Sequence, residues 1–364
     1  MKKILIFGFT DKRGGIESFL IEFIKHMDAS LFSFDCIANT DTVAYEDELM
    51  KLGVNIYHIP MRSQDPFLFR QKIKNFFKLN SKKYDAIWVN VCSLANIDYL
   101  IYAKKYGIPK RIIHCHNSQN MDSKIRGLLH YFNRLRISKY ATDYWTCSEK
   151  ASIWFYGKKI MHDSSYFVFN NSVDSNRFQY NQQIRELTRK HYNVSENTTV
   201  IGNVGRLHAQ KNQSFLIDVF YRYNQINHNS QLWIIGQGEL KDRLMEKVES
   251  LALTKNVVFY GEVDNVDALY QGMDYFVFPS LYEGMSIALL EAEANGLTCL
   301  ISSGNPEDSV LNENVFRINS FDKDLWCQKL LESSSCRVSN EHNNLIGSEH
   351  DINVQIKKVK ELFK

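Results

Sequence analysis

The chain has 364 residues, of which 44% are hydrophobic and 23% are charged, and its formal net charge is +3. This length favours two domains, and the composition is that of globular rather than disordered proteins. The near balance of charge argues against a nucleic-acid-binding protein. Seven scattered cysteines without a Cys-x-x-Cys pair argue against a disulfide framework and a structural zinc site. The first apolar run is too short for a secretory signal, and no stretch reaches the roughly 20 apolar residues of a membrane span, so we expect a cytoplasmic protein.

The first half of the chain alternates short β-rich runs with longer amphipathic stretches. A helix is predicted at residues 15–27, and strands are predicted at 3–8, 34–38, 55–59, 86–91 and 111–115. Alternation of this kind predicts a parallel sheet that is covered by helices on both faces.

The same pattern restarts near residue 200, after a polar segment at 172–198 that is rich in turn residues. Strands are predicted at 200–204, 231–235, 257–260, 275–278 and 298–301, and helices at 213–223, 240–251, 266–273 and 286–294. We therefore expect an α/β protein with two doubly wound, Rossmann-like domains, 1–172 and 173–364, which face a central cleft. The last helix could pack back on the first domain. Ligands of open α/β sheets bind beyond the carboxyl ends of the strands, so functional residues are expected in the loops that follow strands.

The clearest local signal runs from Glu283 to Glu291, after the predicted strand at 275–278. Residues from Ser286 onward have helical spacing, so the backbone N–H groups of Met285 and Ser286 would offer an anion site at the helix start. The two glutamates are about two helical turns apart, and each carboxylate can accept hydrogen bonds from both hydroxyls of a diol. A capping glutamate and a solvated helix glutamate explain the same pattern equally well.

A second signal follows the predicted strand at 200–204, where Gly205 opens a loop that carries Arg206 and Lys211. An arginine fork and a lysine point charge at the end of a strand can together hold a diphosphate. The alternative is a pair of surface cations ahead of a helix that Asn212 caps.

In combination, these motifs resemble the donor domain of glycosyltransferase family 4, whose members are retaining enzymes with the GT-B fold. The resemblance rests on Gly-Arg at 205–206, Lys-Asn at 211–212, Gly-Gln-Gly at 236–238 and the two glutamates. It is specific over residues 200–305 and looser elsewhere, at 14–15, 114–117 and 171–174. Two positions depart from the family pattern, because Ser172 stands where glycine is usual and Thr298 where proline is usual. Both departures concern turn geometry.

The resemblance implies a role for each residue of the second domain. Arg206 and Lys211 would hold the donor diphosphate and stabilise it as a leaving group. Glu291 would bind the ribose hydroxyls, and Glu283 would bind hydroxyls of the transferred sugar. The backbone amides of three residues would lie near that sugar: Gly284, Met285 and Ser286.

The resemblance also implies contacts from the remaining loops. Gly15, next to Gly14, would let backbone N–H groups approach the β-phosphate. His116 would face the donor sugar from the first domain. Gly205 would open the diphosphate loop, and the base would rest near Val263 on backbone contacts.

The function that the resemblance implies is metal-independent transfer of a hexosyl-type sugar from a nucleotide-diphosphate sugar, with UDP favoured over GDP and no further cofactor. The expected acceptor is a glycan or a polyprenyl-diphosphate-linked glycan of a surface or capsular polysaccharide. A sugar-nucleotide epimerase of the same fold and a non-catalytic nucleotide-sugar-binding protein remain alternatives. The glycines at positions 8, 14 and 15 do not form Gly-x-Gly-x-x-Gly, which counts against a nicotinamide dehydrogenase.

Two pairs of residues could suggest a metal site, but both have simpler interpretations. His114 and His116 share one face of a predicted strand, yet no carboxylate motif accompanies them. We interpret one as a core-facing histidine and the other as a cleft residue. Asp322 and Asp324 form a lone Asp-x-Asp that opens a predicted helix, which is typical of an N-cap.

Two basic stretches, residues 70–83 and 124–136, mix cations with apolar residues at helical spacing. Packing of each helix on its own sheet explains the pattern slightly better than an interfacial helix does. Both stretches lie in the half where related enzymes bind the acceptor. Peripheral contact with an anionic membrane, on the inner face of the cell membrane, is therefore a hypothesis.

Overall fold

Two parallel β-sheets, one in each half of the chain, confirm the predicted α/β class. The computed structural model describes residues 1–116 and 124–363, so Asn117 of the predicted 114–117 segment lies outside the described residues. The chain divides into a first unit, Met1–Asn170 with Gln355–Lys364, and a second unit, Asn171–Val354. The division therefore falls two residues before the predicted boundary, and the end of the chain belongs to the first unit.

The first unit has a seven-stranded sheet of order β3-β2-β1-β4-β5-β6-β7, in which every neighbouring pair is parallel. Its strands are β1 (Lys2–Phe7), β2 (Phe32–Ala38), β3 (Asn55–His58), β4 (Ala86–Val91), β5 (Lys110–Cys115), β6 (Asp143–Thr146) and β7 (Tyr166–Val168). Its helices are α1 (Gly15–His26), α2 (Glu46–Lys51), α3 (Pro66–Asn80), α4 (Asp98–Lys105), α5 (Lys124–Arg134) and α6 (Glu149–Phe155). Strands β6 and β7 were not predicted, because runs of three or four residues are too short for a period to show.

The second unit has a six-stranded parallel sheet of order β10-β9-β8-β11-β12-β13. Its strands are β8 (Thr199–Val204), β9 (Ser230–Ile235), β10 (Val257–Gly261), β11 (Tyr275–Phe278), β12 (Thr298–Ser302) and β13 (Val315–Ile318). Its helices are α7 (Ser175–Phe178), α8 (Gln182–His191), α9 (Gln213–Ile226), α10 (Lys241–Ser250), α11 (Val266–Gly272), α12 (Ile287–Ala294) and α13 (Lys323–Glu332); α14 (Ile352–Phe363) follows.

Both faces of the second sheet are covered by apolar side chains. Val200 and Ile201 are adjacent in β8 and fully buried, yet they belong to two different apolar clusters. Successive side chains of a strand point to opposite faces, so each cluster fills the space between the sheet and one layer of helices. This arrangement leaves the strand ends and the loops after them for binding.

The polar segment at 172–198 belongs to the second unit. It contains α7 and α8, and Arg185 and Arg189 of α8 form ion pairs of 2.6 and 3.2 Å with Asp274. Arg189 is fully buried although it is charged. The segment also contributes three buried residues to the apolar cluster on one face of the second sheet: Val173, Phe178 and Val194.

Within the described residues, we find no helix with the length and apolar character required to span a lipid bilayer.

Candidate functional site

The loop after β8, residues 205–212, presents two cations at the carboxyl edge of the second sheet, and we call it the cation loop. Arg206 is exposed, and Lys211 ends the short 3-10 turn that follows. The buried Leu207 anchors the loop through its N–H group, which donates to the Gln237 carbonyl oxygen at 2.9 Å. The Gln213 side-chain amide donates to the Arg206 carbonyl oxygen at 3.1 Å. The backbone is therefore held in place while the guanidinium of Arg206 is left accessible.

Two glycines allow the loop after β9 to pack directly on the cation loop. A Cβ atom on Gly236, whose φ is +129°, would lie 2.2 Å from the Gly205 carbonyl oxygen. A Cβ atom on Gly238 would lie 2.3 Å from the Leu207 carbonyl oxygen. Side chains at either position would collide with backbone, so the Gly-Gln-Gly motif has a steric cause.

The loop after β11 meets the cation loop through an ion pair. Lys211 Nζ lies 2.7 Å from Glu283 Oε1 and 4.7 Å from the centroid of the Phe278 ring. The two charged side chains are only 18% and 8% exposed.

Two hydrogen bonds also join the cation loop to the loop after β11. The Gln210 carbonyl oxygen accepts from the Leu281 N–H at 2.8 Å, and the Gln210 side-chain amide donates to the Tyr282 carbonyl oxygen at 2.8 Å. Strands β8 and β11 are neighbours where the strand order reverses, which is the usual ligand position in such sheets.

Helix α12 begins at Ile287, one residue later than predicted, and Ser286 is its N-cap. The first hydrogen bond of the helix runs from the Leu290 N–H to the Ser286 carbonyl oxygen at 3.1 Å. The amides of residues 287–289 therefore lack helical partners and add to the anion site predicted at Met285 and Ser286. A Cβ atom on Gly284 would meet nothing within 4 Å, so there is open space beside this loop.

Glu291 is held by a tyrosine that the sequence analysis missed. The Tyr270 hydroxyl donates to Glu291 Oε2 at 3.0 Å and lies 2.9 Å from the Ala288 carbonyl oxygen. Burial raises the pKa of Tyr270 well above its ordinary value, so the phenol stays protonated and can donate. No sequence signal identifies this role, since an aromatic residue in a helix ahead of a buried strand reads as part of the core.

Asn171 connects the start of the second unit to the same loop. Its side-chain amide donates to the Met285 carbonyl oxygen at 2.8 Å. His350 Nδ1 in turn lies 2.9 Å from the Asn171 carbonyl oxygen and, because that oxygen can only accept, carries the proton. The Asn-Ser-Val-Asp segment thus supports the loop around Met285, although only the resemblance had singled it out.

The loop after β10 adjoins these elements. The Gly236 N–H donates to the Gly261 carbonyl oxygen at 2.7 Å, and Gly261 has a positive φ of +70°. Val263, two residues on, is half-buried against the apolar cluster of this face. The loops that follow β8, β9, β10 and β11 therefore gather at one edge of the second sheet, as the sequence analysis expected.

In the first unit, Gly14 is the N-cap of α1 and Gly15 is its first residue. The buried Glu17 in the first turn accepts a hydrogen bond from Thr10 Oγ1 at 2.7 Å. A Cβ atom on Gly14 would lie 2.8 Å from Glu17 Oε2. The helix start therefore already has a carboxylate beside it, and a phosphate at the Gly15 amide would have this carboxylate as a neighbour.

His116 directly follows β5 and is oriented by Asn90. His116 Nε2 lies 3.0 Å from Asn90 Oδ1. The Asn90 amide nitrogen donates to the carbonyl oxygens of Phe7 and Trp88 at 3.3 and 3.4 Å, which assigns the oxygen to the histidine side. Burial lowers the pKa of His116 to about 3, so the ring is neutral. Its Nε2 therefore carries the proton, and Nδ1 is a hydrogen-bond acceptor.

One residue of each pair that could suggest a metal has a structural role. His114 is fully buried, its ring stacks 5.9 Å from that of Trp88, and burial lowers its pKa well below the ordinary value. The prediction of a core-facing histidine beside His116 is confirmed. Asp322 caps α13 by accepting from the N–H groups of Asp324 and Leu325, so the N-cap prediction is confirmed as well.

Comparison with known families places this geometry in context. Residues 184–346 match the family model described as Glycosyl transferases group 1. This range includes the cation loop and both glutamates, so the part of the chain that is similar to group 1 glycosyltransferases is the part that carries these residues. The narrower assignment to glycosyltransferase family 4 stays a prediction.

Two named proteins are similar to much of the chain. The putative glycosyltransferase EpsF of Bacillus subtilis (strain 168) is 29% identical over 300 residues, which cover 81% of this chain and 77% of that protein. The capsular polysaccharide biosynthesis glycosyltransferase CapH of Staphylococcus aureus is 24% identical over 367 residues, and the match covers 96% of this chain and 95% of that protein.

A solved structure shares the fold over the whole length. Anabaena Alr3699/HepE in complex with UDP-glucose superposes with a TM-score of 0.77 at 17% identity, and the match covers 100% of this chain and 99% of that one. The predicted fold class, with two Rossmann-like units and GT-B glycosyltransferases as structural neighbours, is confirmed.

Proposed function

We propose that this chain is a retaining, metal-independent glycosyltransferase that moves a hexosyl-type sugar from a nucleotide-diphosphate sugar to a glycan acceptor. The observation that carries the proposal is the meeting of Lys211 and Glu283, 2.7 Å apart, at the point where the strand order of the second sheet reverses. Arg206 extends from the same cation loop. The group 1 glycosyltransferase match covers all three residues.

The cations stabilise the negative charge that develops on the departing diphosphate. In an oxocarbenium-like transition state, negative charge builds on the leaving phosphate while the anomeric carbon becomes electron-poor. Arg206, Lys211 and the free amides at the start of α12 are preorganised donors for that charge. Such donors remove the need for a metal ion. The acceptor hydroxyl attacks the anomeric carbon, the bond to the phosphate oxygen breaks, and that oxygen takes the hydroxyl proton.

The two glutamates recognise hydroxyl groups of the donor. Glu283 binds the transferred sugar, and Glu291, oriented by Tyr270, binds the ribose. The base lies near Val263. We favour a UDP-sugar over a GDP-sugar, because the structural neighbour Alr3699/HepE was solved in complex with UDP-glucose.

We assign acceptor binding to the first unit and most of the donor binding to the second, with a few donor contacts from the first. His116 contributes a neutral ring whose Nδ1 accepts a hydrogen bond from a sugar hydroxyl, and Gly15 and Gly14 admit the β-phosphate to the start of α1. The acceptor is a glycan or a glycan carried by a polyprenyl diphosphate. The relative CapH, named for capsular polysaccharide biosynthesis, supports a surface polysaccharide as the product.

A thermal-shift screen tests the donor site. UDP-sugars, GDP-sugars and NAD are compared on the wild type, on Lys211→Met and on Lys255→Met, an exposed lysine that serves as the matched control. A ligand at 100 times its Kd stabilises the folded protein by about 2.7 kcal/mol. We expect UDP-sugars to shift the wild type and the control but not Lys211→Met. A shift by NAD alone, or none at all, would contradict the proposal.

Turnover separates the proposal from its two alternatives. A transferase needs an acceptor and loses turnover in Glu283→Gln. An epimerase would convert the donor sugar without any acceptor, and a sensor would bind nucleotide-sugar with no turnover in either protein. Product analysis with and without a glycan acceptor distinguishes the three.

A further inference from the structure

Helix α5 turns its apolar side outward. Five apolar residues recur at the i, i+3, i+4, i+7 and i+10 positions that form one helical stripe. The exposed fractions of these residues run from 40% to 72%: Ile125, Leu128, Leu129 and Phe132 on α5, and Leu135 directly after it. Tyr131, on the edge of the stripe, is also exposed. A stripe of this kind normally packs on the core, so its exposure here requires an explanation.

The inward side of α5 is held by polar contacts instead. His130 Nδ1 accepts from the Leu94 N–H at 3.0 Å, and its ring stacks on Trp154 with centroids 3.9 Å apart. The Asn133 amide donates to the Leu94 carbonyl oxygen at 2.6 Å. Both residues are buried. The helix is therefore fixed to the first unit without using its apolar stripe.

The surface around the stripe is cationic. Residues 124–142 contain five lysines and arginines and no aspartate or glutamate. The Arg136 guanidinium lies 5.0 Å from the centroid of the Phe132 ring, at the border of the stripe. Lys158 and Lys159 are exposed directly after Gly157, whose backbone lies against the Arg134 guanidinium. An apolar stripe inside a cationic border is complementary to a surface with anionic headgroups above hydrocarbon.

The other basic stretch, on α3, has the opposite arrangement. Its apolar residues Phe69, Ile73 and Phe77 are fully buried, so the prediction that this helix packs on its own sheet is confirmed. The exposed residues Phe67 and Leu79 are about 18 Å apart along the helix and form no stripe. For α5, by contrast, the packing prediction is wrong, because its apolar stripe faces solvent.

We propose that α5 docks the protein on an anionic membrane, with its apolar stripe among the lipid headgroups and the upper acyl chains. Its cations pair with anionic headgroups. A second copy of this chain is a poorer occupant, because a two-fold interface would bring like charges of the cationic border together. The inference deepens the proposed function, since it brings the first unit to the surface that holds a lipid-linked acceptor.

Co-sedimentation with vesicles of phosphatidylcholine, with and without phosphatidylglycerol, tests the docking. The full chain is compared with Leu128→Ser/Phe132→Ser and with Lys124→Gln/Lys139→Gln. The matched controls on α3 are Phe67→Ser/Leu79→Ser and Lys72→Gln/Lys74→Gln. All eight substituted residues are exposed, and thermal unfolding verifies that each variant folds.

We expect the wild type to bind vesicles that contain phosphatidylglycerol. Each α5 variant should lose about tenfold or more in partitioning, and the α3 controls should keep it. Equal losses on α3 and α5, or no wild-type binding, would overturn the proposal. The proposal would also be overturned if light scattering showed that the wild type is a dimer and that the Leu128→Ser/Phe132→Ser variant is a monomer. UDP calorimetry on the same variants separates the two ideas: docking without nucleotide binding refutes only the proposed function, and nucleotide binding without docking refutes only this inference.

Discussion

Replacing Glu283 with Gln is expected to strengthen the binding of free UDP while it slows sugar transfer. Lys211 Nζ is 2.7 Å from Glu283 Oε1, so a diphosphate that reaches Lys211 has a carboxylate beside it. Glutamine keeps the size of the side chain and one hydrogen-bond acceptor but removes the negative charge. The same change removes an acceptor that the proposed function assigns to the transferred sugar.

The size of the effect follows from the geometry of the pair. Two unit charges about 5 Å apart interact by about 3 kcal/mol at an effective dielectric constant of about 20. Lys211, whose side chain is 18% exposed, screens part of that repulsion. We therefore expect relief of about 1–2 kcal/mol, or a Kd for UDP roughly 5- to 30-fold lower. The kcat with a UDP-sugar should fall by about 100-fold or more, as on loss of one preorganised contact to the transition state.

Calorimetric titration of UDP into four proteins measures the prediction: wild type, Glu283→Gln, Lys211→Met and the double variant. Glu313→Gln, an exposed carboxylate of the same unit, is the control for a general change of charge. Lys211→Met should weaken UDP binding, and the gain from Glu283→Gln should be larger without the screening lysine. An unchanged or higher Kd for UDP in Glu283→Gln would show that Glu283 does not lie beside the diphosphate.

Three further predictions concern positions outside the ion pair. Asn90→Ala removes the acceptor that fixes the His116 ring, so KM for the donor should rise about tenfold. Asn90→Asp keeps an acceptor, so it should restore KM and change the pH dependence of turnover. Burial raises the pKa of Glu293 from 4.5 to about 8, so the folded protein keeps a proton that the unfolded chain has lost. The unfolding free energy of the protein should therefore fall by up to roughly 5 kcal/mol as pH rises from about 4.5 to 8. Calorimetric unfolding should show a flatter dependence of this free energy on pH in Glu293→Gln than in the wild type. Identical pH dependences in the two proteins would contradict this prediction. Gly236→Ala would place Cβ 2.2 Å from the Gly205 carbonyl oxygen and displace the cation loop, so calorimetry should show UDP binding weakened about tenfold or more; an unchanged Kd would refute the steric argument.

Much of the fold could be predicted because its strands are short, buried and separated by helices. The predicted limits of β4 and β11 agree with the structure at both ends. The cation loop and the loop of Glu283 could be placed at strand ends for the same reason. That Lys211 and Glu283 meet, however, depends on β8 and β11 being neighbours in the sheet, and strand order is not contained in the period of either segment.

Other features could not be predicted because they depend on contacts between distant residues. Tyr270 and Asn90 act through single hydrogen bonds to Glu291 and His116, and neither residue belongs to a motif. The amphipathic pattern of α5 was visible in the sequence, but the pattern alone does not say which side faces the sheet. Buried polar anchors such as His130 decide that orientation, and they resemble surface residues until their partners are known.

The path of the chain at its C-terminus makes the first unit discontinuous in sequence. The Phe363 ring lies within 5.6 to 6.3 Å of the rings of Trp145, Phe32 and Trp88, so the end of α14 completes an aromatic cluster that begins near residue 19. A fragment that stops at residue 170 would leave these rings uncovered and prone to aggregate. Exchange of donor specificity between homologues should therefore treat residues 171–354 as an insertion with two junctions. A single-junction chimera would pair one protein's sheet with another protein's closing helix.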